Sequence, residues 1–269
     1  MRNSKFALGI VGVGVMGEAI LSRLLSTGTY APGEVVASHP RSERCTYLES
    51  HYGVRVVNRN SDIPPCEILL LAVKPQKFTT IASELASIIT DLVLSVMAGV
   101  SLSSLGRVFP QLPIVRAMPN TPAQVGAGMT AFACNDLVTA PQKERVKFTL
   151  QAVGEVVEVP EEWLNAVTGL AGSGPGYLAV VLEALIDGGV LMGLPRALAQ
   201  TLAIQTMLGT AQYLKAKHID PADLKSQVTS PGGTTIAGIY ALEYHRLRLA
   251  LMAAVEAASR RAAELDYSP

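Results

Sequence analysis

Short apolar runs alternate with helical patterns over the first 160 residues of the chain. The apolar runs are Phe6–Val11, Glu34–Ser38, Val54–Val57, Glu67–Val73, Leu92–Met97 and Ile114–Ala117, with two more at Met129–Cys134 and Gly154–Pro160. Dense runs of this length predict strands, and the densest of them predict strands buried on both faces. Strands that alternate with helices predict an α/β fold with a doubly wound parallel sheet.

The pattern changes near residue 160, after which no strand is predicted. The predicted helices are Glu161–Leu170, Pro175–Met192, Pro195–Ala216, Pro221–Gln227, Thr234–Tyr244 and Leu247–Leu265. Several of them start with proline, which is favoured in the first helical turn. We therefore predict two domains, an α/β domain over residues 1–160 and an all-helical domain over residues 161–269.

The helix predicted over Pro175–Met192 is apolar on most of its surface and is interrupted mainly by Glu183 and Asp187. A helix that is apolar all round must be buried. A domain of this size has too few other elements to bury several such helices, so we predict a homo-oligomer that associates through the helical domain. The two carboxylates lie one turn apart, which permits a paired-carboxylate site but favours interface or helix-end polar groups.

A glycine pattern follows the first predicted strand directly. Gly12-Val13-Gly14-Val15-Met16-Gly17 has the spacing G-x-G-x-x-G, and a helical pattern begins after it. The first glycine permits a tight turn, the second allows the backbone to approach a pyrophosphate, and the third allows close packing of helix and strand. This context predicts a Rossmann-type dinucleotide site, whereas the alternative is a glycine-rich turn that only packs well.

The end of the second strand indicates which dinucleotide binds. An NAD site usually has an acidic residue here, but the sequence is Ser38-His39-Pro40-Arg41-Ser42. Ser38, Arg41 and Ser42 have the donors that hold a 2′-phosphate, and Asn60 is placed to reach the same adenosine end. We predict NADP(H) as the preferred cofactor, with NAD(H) also accepted; the alternative is a solvated loop with a surface arginine.

The segment Val228–Glu243, VTSPGGTTIAGIYALE, predicts a turn that leads into a helix. Its two glycines and the helix N-terminus form a place where backbone N–H groups bind a small anion. Thr234 and Thr235 are candidates for capping the helix. The alternative is an ordinary proline–glycine turn with a capped helix.

Composition limits the remaining classes of function. Lys and Arg number 22 and so do Asp and Glu, and aromatic residues make up 5%, so nucleic acid and anionic membrane surfaces are not expected partners. By inspection, no apolar run reaches the length of a membrane span. The three cysteines and four histidines lack metal-ligand spacing, and the cysteines cannot all pair. We predict a cytoplasmic protein without a metal.

Five motifs together resemble the pyrroline-5-carboxylate reductase family, and the likeness covers essentially the whole chain. They are Gly12–Gly17, Ala72–Pro75, Val115–Pro122, Thr168–Pro175 and, as the most specific, Val228–Glu243. The resemblance implies reduction of 1-pyrroline-5-carboxylate to L-proline by NAD(P)H in a helical homodimer, which is sometimes assembled into a larger ring of dimers.

The resemblance also implies the site residues. The cofactor is expected to contact Val11, Gly12, Val13, Gly14, Val15, Met16, Gly17, Ser38, Asn60, Ala72, Val73, Lys74, Pro75, Val96, Met97 and Ala98. The substrate is expected to contact Val228, Ser230, Gly232, Gly233, Thr234 and Thr235.

The chemistry of the residues agrees with this expectation. Hydride attack on an imine carbon is easier when the nitrogen is protonated or hydrogen-bonded. We predict that the Thr235 hydroxyl is the donor, directly or through water, and that helix capping is its competing role. Two alternatives stay open: a hydroxy-acid dehydrogenase that uses Lys215 or Lys217 as a proton acceptor, and a non-catalytic NADP(H) sensor.

Overall fold

A single eight-stranded sheet forms the core of the first part of the chain. The computed structural model describes residues 5–265, and its strands are β1 (Phe6–Val11), β2 (Val35–Ser38), β3 (Arg55–Val57), β4 (Cys66–Leu71), β5 (Thr90–Ser95), β6 (Ile114–Met118), β7 (Gly128–Cys134) and β8 (Gly154–Glu158). They lie in the order β3-β2-β1-β4-β5-β6-β7-β8. The doubly wound sheet predicted from the sequence is confirmed.

The last two strands reverse the direction of the sheet. The first six strands run parallel, β7 pairs antiparallel with β6, and β8 pairs parallel with β7. The link between β6 and β7 is a short 3₁₀ turn at Thr121–Val125 instead of a crossover helix. A connection this short joins neighbouring strands only when the second one runs back along the first. The sheet is therefore mostly parallel, and not wholly parallel as the strand–helix alternation had predicted.

Helices cover both faces of the sheet. They are α1 (Val15–Ser26), α2 (Ser42–Tyr52), α3 (Phe78–Ala86), α4 (Leu102–Val108) and α5 (Ala140–Gln151). Side chains of α1, α2 and α5 pack on one face, and side chains of α3 and α4 pack on the other. Because both faces are covered, strands such as β4 are apolar at nearly every position.

Pairing register aligns the carboxyl ends of four central strands. Val11 lies opposite Ser38 in β2 and opposite Leu71 in β4, and Leu71 lies opposite Ser95 in β5. The segments that follow these four residues therefore emerge along one edge of the sheet. Open parallel sheets bind ligands at this edge.

From Glu161 to Glu264 the described residues form helices and the turns between them. Glu161–Gly172 is a run of 3₁₀-helix, a short α6 (Leu164–Val167) and π-helix. The later helices are α7 (Gly174–Leu191), α8 (Arg196–Lys217), α9 (Pro221–Gln227), α10 (Thr234–Tyr244) and α11 (Leu247–Glu264). Each α-helix from α7 onward agrees within one residue or so with the helix predicted from the sequence.

The chain divides into two compact units. One contains the chain up to Ser173 together with the segment from Ala257 onward, and the other is Gly174–Glu256. Within Gly174–Glu256 only Ala199 is buried, at 3% exposure. Leu185, Leu191 and Met252 are among its many exposed apolar side chains. This unit therefore presents its apolar surface instead of enclosing it.

One expectation about membrane spans is wrong. The helical stretch Glu161–Leu191 is long and apolar enough to cross a membrane by length and composition, with a mean hydropathy of 1.4. The stretch contains no single apolar run of that length, because small residues and isolated polar residues interrupt it. Helices that bury an apolar face against another copy of the chain have the same composition.

Candidate functional site

The glycine loop after β1 is shaped by close backbone contacts. Gly12 has a φ of +91°, and a Cβ there would come within 2.8 Å of the backbone nitrogen of Val73. A Cβ on Gly17 would come within 2.2 Å of the Gly12 carbonyl oxygen. These two positions therefore require glycine for the fold itself, as the motif predicted.

Gly14 has a different reason for being glycine. Nothing in the described protein lies within 4 Å of a Cβ built there, and Gly14 is the N-cap residue of α1 with no side-chain cap. The first N–H groups of α1 thus face an open space, where the helix dipole favours negative charge. Val15 beside it is 77% exposed. This open cradle fits the pyrophosphate of a dinucleotide.

Six of the expected cofactor residues are buried within the protein: Val11, Val13, Gly17, Ser38, Val96 and Met97. Val11 and Val13 have no exposed surface, and Met97 is almost fully buried. Their side chains belong to the core on either side of the sheet. They shape the loop and the strand end, whereas Gly14, Val15 and Met16 leave surface for a ligand.

Expected cofactor segments from three strands meet at this edge. Ala72 donates its N–H to the Val11 carbonyl at 2.9 Å, and Val96 donates to the Leu71 carbonyl at 3.0 Å. After Ala72 and Val73, Lys74 precedes a 3₁₀ turn that starts at Pro75. Residues that are 61 and 25 positions apart in the sequence are thereby placed side by side.

The predicted adenosine residues also come together, with one difference. Ser38 is buried and donates its hydroxyl to Asn60 Oδ1 at 2.7 Å, and Asn60 in turn donates to Glu84 Oε2 at 2.9 Å. The Ser38 hydroxyl proton is therefore already used in a hydrogen bond within the protein. Ser38 fixes Asn60 instead of offering a free donor, and Glu84 is a member of this network that the sequence did not reveal.

The loop from His39 to Ser42 carries the remaining adenosine-end groups. Arg41 is exposed at the N-cap position of α2, and its guanidinium forms no ion pair with the described residues. Arg44, one turn later, is ion-paired with Glu18 and lies 4.7 Å from the centre of the Tyr47 ring. Arg41 is thus the arginine of this loop that is left for a ligand.

The predicted substrate turn lies before α10, within Gly174–Glu256. Gly232 has a φ of +69°, and a Cβ on Gly233 would come within 2.3 Å of Ser230 Oγ. These two glycines fold the chain so that the Ser230 hydroxyl lies against the start of the helix. Ser230, Thr234 and Thr235 are all exposed in the single chain.

The expectation that Thr234 or Thr235 caps α10 is wrong. The N-cap residue is Gly233, no side chain caps the helix, and the two threonines are its first and second residues. Because both threonines lie inside the first turn, neither occupies the cap position, whose side chain accepts from the helix N–H groups. The helix N-terminus and the Thr235 hydroxyl are therefore both free for a ligand.

Asn120, which lies in a sequence motif but had no predicted role, links three segments of the structure by hydrogen bonds. Asn120 follows β6, donates to the Ala171 carbonyl at 3.1 Å and accepts from the Met129 N–H at 2.9 Å. It thereby joins the end of β6 to the start of β7 and to the π-helical segment. Asparagine after Met-Pro was the only signal available in the sequence.

An ion pair between a buried arginine and a half-buried glutamate supports the same region. Arg116 in β6 is 8% exposed and donates to Glu161 Oε1 at 3.0 Å, and that oxygen also accepts the Leu102 N–H. One carboxylate thus joins β6, the start of α4 and the beginning of the helical segment. The sequence showed no partner for Arg116 because the pair is 45 residues apart.

The other polar groups do not form a catalytic cluster. Asp187 is ion-paired with Arg196, so it is not one half of a carboxylate pair with Glu183. Burial raises the pKa of the Cys134 thiol to about 11 and also raises that of Cys66, so neither is a nucleophile at neutral pH. In residues 5–265, no group of three or more His, Cys, Asp or Glu side chains is placed to hold a metal.

Comparison with known proteins supports this picture. Residues 161–265 match the family model for pyrroline-5-carboxylate reductase dimerisation, and residues 7–99 match that for coenzyme F420-dependent NADP oxidoreductases. The pyrroline-5-carboxylate reductase of Synechocystis is 53% identical, over 96% of this chain and 97% of that protein.

Solved structures agree along the full length. The pyrroline-5-carboxylate reductase of Coxiella burnetii has a TM-score of 0.90 at 32% identity, covering 99% of this chain and 100% of the other. The Plasmodium falciparum pyrroline carboxylate reductase with NADP bound has a TM-score of 0.86 at 29% identity, covering 99% of each chain. The chain therefore belongs to the pyrroline-5-carboxylate reductase family, the NAD(P)H-dependent oxidoreductases that form L-proline.

Proposed function

We propose that the turn before α10 binds 1-pyrroline-5-carboxylate and that the Thr235 hydroxyl donates a hydrogen bond to its imine nitrogen. The observation that carries this proposal is the uncapped start of α10, because Gly233 occupies the cap position and Thr235 is exposed. In a helix start that is capped by its own threonine, the threonine oxygen would already accept one of the helix N–H groups.

The substrate carboxylate is assigned to the same turn. The Thr234 N–H and the Ser230 hydroxyl are the donors, with Val228 and Gly232 completing the turn. The Gly233 N–H is not a free donor, because it donates to the Ser230 carbonyl at 3.1 Å. Backbone N–H groups at a helix start favour an anion through both hydrogen bonding and the helix dipole. The close approach of residues 230 and 233 supports this assignment, because it places the Ser230 hydroxyl beside those N–H groups.

The reaction converts a C=N bond into a C–N bond, with one hydride added to carbon and one proton supplied to nitrogen. NADPH, when bound at the glycine loop, supplies the hydride. A protonated imine already carries the required proton, so the protein needs only to hold the nitrogen and the carboxylate in place. Thr235 stabilises the nitrogen as electron density reaches it. This explains why no Lys or His pair is needed beside the turn.

The 2′-phosphate of NADPH is assigned to Arg41 and Ser42. Arg41 is exposed and without an ion pair among the described residues, and Ser42 is the first residue of α2. Guanidinium and hydroxyl donors at a helix start form charge-assisted bonds to phosphate. NADH lacks this group, so the assignment explains a preference for NADPH in which NADH is still accepted.

The proposal also covers the domain boundaries, the assembly and the location of the enzyme. The dimerisation model begins at residue 161 and the last strand ends at Glu158, which supports domains over 1–160 and 161–269. We infer a cytoplasmic homodimer that associates through the helical domain, without nucleic-acid or membrane partners; a larger ring of dimers is the alternative assembly. Sedimentation velocity at micromolar concentration distinguishes a dimer from a ring of dimers.

The test of the Thr235 assignment is steady-state NADPH oxidation with 1-pyrroline-5-carboxylate. We expect Thr235→Ala to lower kcat/KM by about 10²-fold, the usual loss for one donor in the transition state. Thr235→Ser keeps a hydroxyl and retains most of the activity, and Thr234→Ala is the matched control. Thermal unfolding of all three stays close to that of the unaltered protein because none removes a cap. Full kcat/KM in Thr235→Ala would refute the donor role.

A further inference from the structure

The residue between Ser38 and Pro40 is a histidine that holds its own loop in shape. The His39 N–H donates to the Val57 carbonyl at 3.1 Å, and its ring Nδ1 accepts the N–H of Arg41 at 3.2 Å. Nδ1 is therefore unprotonated, and the ring proton is on Nε2. The imidazole thus accepts the backbone N–H of Arg41 at the start of α2. This is the position to which we assign the 2′-phosphate.

The positive charge in this loop is smaller than its arginines suggest. Arg44 is ion-paired with Glu18, and the Tyr52 hydroxyl also donates to Glu18. Arg41 therefore supplies one uncompensated positive charge. A phosphate monoester carries a charge of about −1.5 to −2 at pH 7. A second positive charge in the loop would neutralise the remaining negative charge of the phosphate when the 2′-phosphate binds.

We propose that His39 is a specificity-determining residue that becomes protonated when NADPH binds and does not when NADH binds. The inference rests on the proposed 2′-phosphate site at Arg41. A proton on Nδ1 has two effects at the same place. It adds a positive charge next to the phosphate, and it releases the Arg41 N–H from the ring so that this N–H becomes a donor for the phosphate oxygens.

The surroundings of the ring keep it neutral before NADPH binds. Burial lowers the pKa of His39, and the positive charges of Arg41 and Arg44 lower it further. The Cys45 thiol donates to the His39 carbonyl at 3.1 Å, and burial raises the pKa of that thiol, so it contributes no charge at neutral pH. An adjacent dianion shifts the pKa of the imidazole upward.

The proposal determines the direction in which NADPH affinity changes with pH. Because the pKa of His39 is higher in the NADPH complex than in the free protein, NADPH binding takes up a proton. NADPH affinity then falls as pH rises through the pKa of the complex. NADH affinity stays constant over the same range. The phosphate itself titrates near pH 6 and releases a proton on binding below that value, so measurements start at about pH 7.

Isothermal titration calorimetry in two buffers of different ionisation enthalpy measures the protons exchanged. At pH 7 we expect uptake of a fraction of a proton with NADPH and none with NADH. His39→Gln preserves an acceptor for the Arg41 N–H but cannot be protonated. It therefore abolishes the uptake and lowers the ratio of NADPH to NADH affinity about tenfold, the scale of one charged hydrogen bond.

Arg41→Ala separates the two proposals. A selective loss of NADPH affinity in Arg41→Ala, with unchanged proton uptake and affinity ratio in His39→Gln, would overturn the histidine inference alone. An unchanged NADPH to NADH ratio in Arg41→Ala would overturn the phosphate site on which the inference rests. Circular dichroism of both variants confirms that the measured proteins are folded.

Discussion

The two compact units of this chain bury their apolar side chains to very different extents. In the sheet unit, whole strands such as β4 are closed off from solvent on both faces. In Gly174–Glu256 the packing of α7 on α8 buries one alanine, while leucines and methionines lie exposed along the helices. Burial of apolar surface is the main favourable term in folding, so the two units cannot be equally stable alone.

The contrast shows which unit needs a second copy of the chain to cover its apolar side chains. The sheet unit has a complete core, and its ligand edge is made of loops held by that core. The helical unit belongs to the segment that matches a dimerisation model, and we propose that a second copy covers its exposed apolar side chains. The proposed cofactor site thus lies in a self-contained unit, whereas the proposed substrate turn before α10 lies in a unit that we propose is completed by association.

The largest expected effect is a charge placed on the helical unit. Leu185 in α7 is 54% exposed, and Leu185→Glu would bury a carboxylate if a second copy covers it. We expect the dimer to dissociate at micromolar concentration in sedimentation velocity. The matched control is Ile89→Glu on the sheet unit, where Ile89 is 63% exposed and the expected change in unfolding free energy is within about 0.5 kcal/mol. A dimer that survives Leu185→Glu would contradict this assignment of α7.

A smaller effect is expected within the glycine loop. Gly12→Ala forces a side chain onto the Val73 backbone at a φ of +91°, so we expect a loss of about 2 kcal/mol or more in urea unfolding. Gly14→Ala has open space around the new methyl group and leaves stability nearly unchanged, while NADPH binding weakens because the methyl group occupies the cradle. Equal stability losses in the two variants would contradict the separate roles.

Much of the sheet unit was predictable from local pattern. β1 was predicted with its bounds unchanged, and β4 and β5 within about two residues, because strands buried on both faces are apolar throughout. The glycine loop was predictable because tight turns and helix packing demand particular residues at fixed spacing. The direction of β7 was not predictable, since apolar content is the same whichever way a strand runs.

The contacts that fix the site could not be predicted from the sequence either. Asn120 reaches Ala171, Arg116 reaches Glu161, and Asn60 reaches Glu84 across gaps of 24 to 51 residues. No local pattern specifies such pairs, because each depends on which strands become neighbours. The cap of α10 was mispredicted although the bounds of the helix were predicted correctly, because a helix that begins at Thr234 has Gly233, and not a threonine, at its cap position.

Amide hydrogen exchange at a series of protein concentrations tests the difference between the two units most directly. Dilution that populates the monomer should speed exchange in helices α7 to α10, because their apolar faces lose the second copy. Exchange in β1, β4 and β5 should stay unchanged. Helices whose protection does not depend on protein concentration would contradict the account, because the helical unit would then be stable without association.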